Sequence, residues 1–201
     1  MDVGANHGGW TRRALRYFPE AEYTLLEPQD WLRRHVEDLL KSNPHVHWHG
    51  VGAGESPGVL RLTLAERDDS SSFRFTPEEA QALGRRQIEV PIVTIEQSVR
   101  ETGRPIPDMI KIDAEGTDLA VLRGAGACLG VTELIFVEAG VMHKKIANDV
   151  LSVMQAMSGH GYRLFDVTDL NRTRRHGALW LVELAFVKVG GKLDEAVSSY
   201  D

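Results

Sequence analysis

The opening stretch, Met1-Asp2-Val3-Gly4-Ala5-Asn6-His7-Gly8-Gly9, constrains this chain more than any other. It reads as the end of a strand closed by an acidic residue, then a turn of small residues, then a helix beginning at Trp10-Thr11. Glycine turns sharply and lets a backbone pass close to a neighbour or a ligand. The next strand candidate, Tyr23-Thr24-Leu25-Leu26-Glu27, also ends in a carboxylate. A glycine turn after one strand and an acid after the next predict a doubly wound α/β fold with a mostly parallel sheet. Such a sheet holds nucleoside-bearing ligands beyond the carboxyl ends of its strands.

The glycine spacing narrows the ligand. A dinucleotide fold uses G-x-G-x-x-G so that the backbone can approach a pyrophosphate. Here the order is Gly4-Ala5-Asn6-His7-Gly8-Gly9, and the side chain of Asn6 would crowd that group. S-adenosylmethionine (SAM) has no phosphate. Its ammonium is a partner for Asp2, directly or through water, and its two ribose hydroxyls are partners for Glu27. Gly4, Ala5, Asn6 and Gly8 would form the turn around it. The same small residues can also serve close packing alone.

With 201 residues the chain suits one domain, residues 1–190, followed by a polar tail, residues 191–201, expected to be unstructured. A net charge of -6 argues against a general nucleic-acid binder, which carries a basic footprint. No apolar run is long enough to span a membrane. Cys128 is the one cysteine, so no intrachain disulfide can form, and a reducing cytoplasm is the expected setting. Only Met1, Asp2 and Val3 precede Gly4, whereas strands usually run about five or six residues. That short start predicts a chain truncated at its N-terminus.

Periodicity and breakers predict the remaining elements. Helices are expected over Trp10–Phe18, over Trp31–Lys41 with Asp30 as cap, over Ile95–Thr102 closed by Gly103, over Thr117–Leu129 and over Lys144–Ser158. Strands are expected at Glu22–Glu27, His45–His49, Gly58–Leu64, Glu89–Ile95, Asp108–Asp113, Glu133–Glu138 and Tyr162–Val167. The last strand, Ala178–Val189, should pair antiparallel, because the connection before it is too short for a crossover helix. His45, His47 and His49 would share one sheet face, as metal ligands or as a polar edge. A polar stretch, Glu66 to Ser72, then Phe73-Arg74-Phe75 and a capping box, Thr76-Pro77-Glu78-Glu79, form an excursion that reads as a lid or as a surface insertion.

Asp113 and Glu115 follow one predicted strand, and Glu138 ends another, so all three should border one crevice. Clustered carboxylates either raise one another's pKa or share a divalent cation, and the sequence leaves a metal undecided. The alternatives are structural: Asp113 caps the next helix, and Glu115 pairs with Lys111 or Arg123. His143 is a second candidate base. Arg174 and Arg175, in the loop Asn171–His176, could hold an anionic acceptor or form a solvated basic loop.

The chain resembles the FkbM family of SAM-dependent methyltransferases. The resemblance is carried by Asp2-Val-Gly-Ala-Asn-His-Gly8, Glu27-Pro28, Ser70-Ser71-Ser72, Val90-Pro-Ile-Val-Thr-Ile95, Val137-Glu138 and above all Met109-Ile-Lys-Ile-Asp-Ala-Glu-Gly116 through Val121-Leu122-Arg123-Gly124-Ala125. It implies a class I methyltransferase fold, SAM as cofactor with Pro28 among its contacts, and methylation of a hydroxyl on a small-molecule acceptor, often a sugar or a secondary metabolite. Asp113 and Glu115 would be catalytic, and Glu138, His143, Arg174 and Arg175 would face the acceptor. Two rival readings are a non-catalytic partner protein of the same fold and a nicotinamide-dependent oxidoreductase. Neither the acceptor nor the oligomeric state is legible.

Overall fold

Val3, Leu25, Leu26, Ile110, Ile112, Ile135 and Val137 are each at most 2% exposed. Strands this apolar belong inside a sheet covered on both faces. The computed structural model describes residues 1–142, 147–197 and 199. Its main sheet comprises β1 (Asp2–Val3), β2 (Tyr23–Leu26), β3 (Val46–His49), β7 (Met109–Ile112), β8 (Leu134–Gly140), β9 (Tyr162–Arg172) and β10 (Leu179–Lys188). A smaller sheet holds β4 (Gly52–Ala53), β5 (Gly58–Thr63) and β6 (Gln87–Val93) in the order β4-β6-β5.

The main sheet runs β3-β2-β1-β7-β8-β10-β9. β1 pairs in parallel with both β2 and β7, and β7 with β8. β10 is antiparallel to both of its neighbours, as its short connection requires. From β1 the chain first steps toward β3 and later resumes on the other side at β7. The crevice outside the carboxyl ends of β1 and β7 is therefore the switch point, where open α/β sheets hold ligands.

Among the described residues, seven helices pack around these strands: α1 (Gly9–Ala14), α2 (Glu37–Ser42), α3 (Pro77–Ala82), α4 (Ile95–Thr102), α5 (Asp118–Arg123), α6 (Val150–Gly159) and α7 (Lys192–Ala196). The expected capping box is present at α3, where Thr76 accepts from the Glu79 backbone and the Glu79 side chain accepts in return. Gly103 closes α4 at φ 64°, a left-handed position suited to glycine.

Several expected boundaries move. α1 stops at Ala14, and Phe18 is left 53% exposed. The helix expected over Trp31–Lys41 divides into a 3-10 turn, Asp30–His35, and α2. Asp30 does not cap it; its carboxylate accepts from the Trp48 indole at 2.9 Å. The helix expected over Thr117–Leu129 ends at Arg123, and a short 3-10 turn, Gly126–Cys128, follows. α6 begins only at Val150, with Asp149 as its cap. β9 runs on to Arg172 rather than ending at Val167. The tail is not structureless: α7 forms there, held by an ion pair between Asp194 and Arg163 at 3.0 Å and by Lys192 donating to Glu133.

Candidate functional site

The turn after β1 owes its path to three residues with positive φ, Gly4 at 74°, Asn6 at 48° and Gly8 at 72°. A Cβ on Gly4 would lie 1.9 Å from the carbonyl oxygen of Asp113. The ends of β1 and β7 thus meet backbone to backbone, and only glycine fits between them. Asn6 aims its backbone N–H at Glu27 Oε2, 2.8 Å away. Gln29 donates its own backbone N–H to Glu27 Oε1 at 2.9 Å. Glu27 is 3% exposed, and burial raises its pKa against the pull of these donors. The Gln29 side-chain amide also reaches Oε1, at 3.4 Å, whereas Oε2 holds one N–H and keeps a further lone pair for a ligand hydroxyl.

Gly4, Asn6, Glu27, Pro28 and Gln29 line one cavity, and the 113–115 loop closes it. Ala5 and Gly8 are not in its lining. Ala5 is buried against Tyr23, Leu25 and Val46, and a Cβ on Gly8 would strike Val36 at 2.7 Å. Asp2 also lies away from the cavity. It accepts from Thr11 Oγ1 at 2.6 Å and faces Lys111 at 3.7 Å. Its Oδ1 is buried without a hydrogen bond.

Lys111, 6% exposed, joins that carboxylate to Asp113, whose Oδ2 is 3.1 Å away. Burial disfavours the ammonium, but Asp2 and Asp113 outweigh it and hold Lys111 charged above the ordinary lysine value. Lys111 therefore does not pair with Glu115, and Arg123 is taken by Glu55 at 2.7 Å. Glu115 sits at φ 49°, a conformation costly for a residue with a side chain. Burial, with Asp113 and Asp118 nearby, pushes its pKa up to about 8. The Glu138 carboxyl is raised by burial first and then by Asp113, Asp118 and Glu115.

Capping of the turn falls to Asp118, not to Asp113. Asp118 is fully buried and accepts from the backbone N–H groups of Ala114 at 2.8 Å and Gly116 at 3.1 Å. The amide of Asn148 adds a third donor at 2.9 Å and also holds the carbonyl of Glu138. Burial raises Asp118 to about 7, even though its two backbone donors pull the other way. Sequence reasoning missed both residues. An acid two positions after Gly116 was a readable signal, whereas Asn148 lies 30 residues away and gave none.

The excursion folds against the site. Gln29 donates to the Asp68 carbonyl at 2.7 Å and accepts from Ser71 at 3.2 Å. Thr63 and Ser72 form an antiparallel bridge, and Ser72 Oγ donates to the Glu115 carbonyl at 2.7 Å. Along this segment Ser71 and Phe73 line the Glu27 cavity, while Ser72 and Arg74 line a second cavity. That second space also takes in Glu138, Asn171 and Trp180, and Asp113 and Glu115 border both.

Arg174 and Arg175 lie in the turn between β9 and β10 and do not line either cavity; Asn171 is the residue of that loop that does. His143 lies outside the described residues. His45 and His47 both contact Glu22, at 2.6 and 3.1 Å, as a polar edge. Among the described residues no three His, Cys, Asp or Glu side chains form a group that could hold a metal ion. No helix among them is long and apolar enough to cross a membrane.

Residues 2–164 match the family model described as the methyltransferase FkbM domain. Among solved structures, methyltransferase FkbM from Methylobacillus flagellatus KT is similar, with TM-score 0.58 and 15% identity. The match covers 91% of this chain but 42% of that one. Precorrin-6y C5,15-methyltransferase from Geobacter metallireducens GS-15 follows, with TM-score 0.51 and 14% identity, covering 93% of this chain and 77% of that one. Both likenesses speak to the fold, a class I methyltransferase sheet. No curated protein matches the sequence.

Proposed function

As the chain belongs to the FkbM family of methyltransferases, we propose that it methylates a hydroxyl of a small-molecule acceptor, a sugar or a secondary metabolite, using SAM. The nicotinamide alternative falls with the family assignment. One observation carries the reading: Asp113 and Glu115 border both the Glu27 cavity and the second cavity. A group that serves methyl transfer must stand where cofactor and acceptor meet.

The residues fit the cofactor. Glu27, pinned by two backbone donors, offers its free lone pairs to the ribose hydroxyls, and Gly4, Asn6, Pro28 and Gln29 would border the same molecule. SAM supplies the electrophilic methyl group. The acceptor hydroxyl is a poor nucleophile until a base takes its proton. Asp113 is that base: Oδ2 is held by Lys111, and Oδ1 would take the acceptor's proton. Glu115 and Glu138, whose burial favours the protonated form, orient the acceptor by hydrogen bonding. Asp2 holds Lys111 charged behind Asp113 instead of meeting the cofactor.

Calorimetry with SAM tests the first half, and a folded protein that gives no heat would refute it. Turnover tests the second. Asp113→Asn preserves shape but removes basicity, so kcat should fall by about 10²–10⁴-fold with SAM affinity intact. Full turnover in this variant, with and without a chelator, would remove Asp113 as base and as metal ligand together.

A further inference from the structure

The second cavity is lined by both signs of charge: Asp69, Asp113, Glu115 and Glu138 with Arg67, Arg74 and Arg85. Arg67 is spoken for: Asp69 engages it twice, at 2.6 and 3.0 Å. Arg74 and Arg85 have no ion-pair partner among the described residues, although they share the cavity with four carboxyl groups. Both guanidinium groups instead pack on the ring of Phe75, at 4.6 and 5.7 Å from its centroid. A guanidinium stacked on an aromatic face keeps its N–H edge free for two oxygens in one plane, the geometry of phosphate and carboxylate binding.

The platform is fixed to the reacting centre. The Gln87 amide donates to the Phe75 carbonyl at 3.1 Å and to Thr63 Oγ1 at 2.9 Å. Ser72 Oγ accepts from the Arg74 backbone at 3.3 Å and donates to the Glu115 carbonyl at 2.7 Å. Arg85 is anchored by its backbone N–H on the Ala80 carbonyl at 2.8 Å. Two cations that form no ion pair among the described residues thus share one cavity with the carboxyl groups that would handle a hydroxyl.

We propose that the acceptor is anionic, and that Arg74 and Arg85 bind its phosphate or carboxylate while its hydroxyl lies over Asp113 and Glu115. The inference rests on the methyltransferase reading and names the acceptor class for that site. It assigns the anion to a different arginine pair from Arg174 and Arg175.

The test uses nitrogen-15-labelled protein saturated with S-adenosylhomocysteine, with the Arg74 and Arg85 side-chain resonances assigned from the two single glutamine variants. Inorganic phosphate, glucose 6-phosphate, glucuronate and glucose are titrated in turn. The three anions should shift both resonances saturably, and glucose should not. R74Q/R85Q should weaken anion binding roughly tenfold or more, as loss of charged hydrogen-bond donors does, while S-adenosylhomocysteine affinity stays within about twofold of the parent. That retained affinity shows the double variant is folded. Equal responses to glucose and to the anions, silence from both arginines, or unchanged anion affinity in R74Q/R85Q would overturn the assignment. Failure of S-adenosylhomocysteine to bind would instead refute the methyltransferase reading, a separate result from the anion titrations.

Discussion

Gly4→Ala probes the closest approach in the site. Gly4 sits at φ 74°, where a Cβ would lie 1.9 Å from the Asp113 carbonyl oxygen. Real Cβ atoms essentially never come within 3.0 Å of another heavy atom, so the two strand ends would have to part by about 1 Å. Both sides of the contact are backbone, and no flexible side chain can yield. Two hydrogen bonds resist the movement: Gly4 N–H to Leu26 O at 2.9 Å, and Asp113 N–H to Val3 O at 3.1 Å. The left-handed conformation costs about 1–2 kcal/mol for alanine. Overpacking typically costs a further 1–3 kcal/mol. A loss of roughly 2–5 kcal/mol should lower Tm by about 5–15 °C in a domain of this size. Urea unfolding and a thermal melt would measure it. A displacement of 1 Å at Asp113 should also reduce turnover by about 10²-fold in whatever fraction stays folded. A variant melting within about 2 °C of the parent, with unchanged turnover, would refute the claim that β1 and β7 meet through Gly4.

Glu27→Ala should weaken SAM binding by about 1.5–3 kcal/mol in calorimetry. It should also destabilise the unliganded protein by about 1–3 kcal/mol, because the Asn6 and Gln29 N–H groups lose their acceptor. Asn148→Ala removes one amide from both Asp118 and the Glu138 carbonyl, and urea unfolding should show a loss of about 1–3 kcal/mol. The pKa of Glu115 is raised to about 8, so the folded state binds its proton more tightly than the unfolded chain does. Its stabilising contribution is complete below the ordinary glutamate value and fades as pH rises toward 8. Asp118 and Glu138 are also raised by burial and titrate in the same direction, so the parent and Glu115→Gln should be compared across pH 5–9. The glutamine variant should lose less stability over that range; matching slopes would count against a buried, protonated Glu115.

The parallel sheet and its antiparallel last strand were legible because their residues obey local rules. Ile110 and Ile112 form an apolar strand closed by Asp113, and the connection before β10 is too short for a helix. The pairing of Glu27 with the turn after β1 could be read from chain order. The environment of Asp2 could not. An acid at the end of a strand fits a ligand ammonium as well as a buried lysine, and the lysine wins through a register that pairs Asp2 with Lys111 across two parallel strands. Helix ends were read too long where Gly126 or the Asp30–Trp48 bond intervenes, because such contacts are tertiary. Asp113 drew the capping role on position alone, while Asp118 holds it through three donors, one of them remote in sequence. The arginines that border the second cavity escaped notice for a related reason. Charge density drew attention to Arg174 and Arg175, whereas the cavity is bordered by Arg74 and Arg85, set there by the fold of the excursion.

The segment carrying Ser71, Ser72, Phe73 and Arg74 is a wall one chain thick between two cavities, and its residues line the two alternately. Such a wall has a parity. Substitution at Arg74 can remodel the second cavity without altering the lining of the first, and substitution at Phe73 does the reverse. Insertion or deletion of a single residue there would exchange the two sets, presenting an arginine to the Glu27 cavity and a phenyl ring to the second. Divergence along this wall is therefore open to point substitution and closed to changes of length by one.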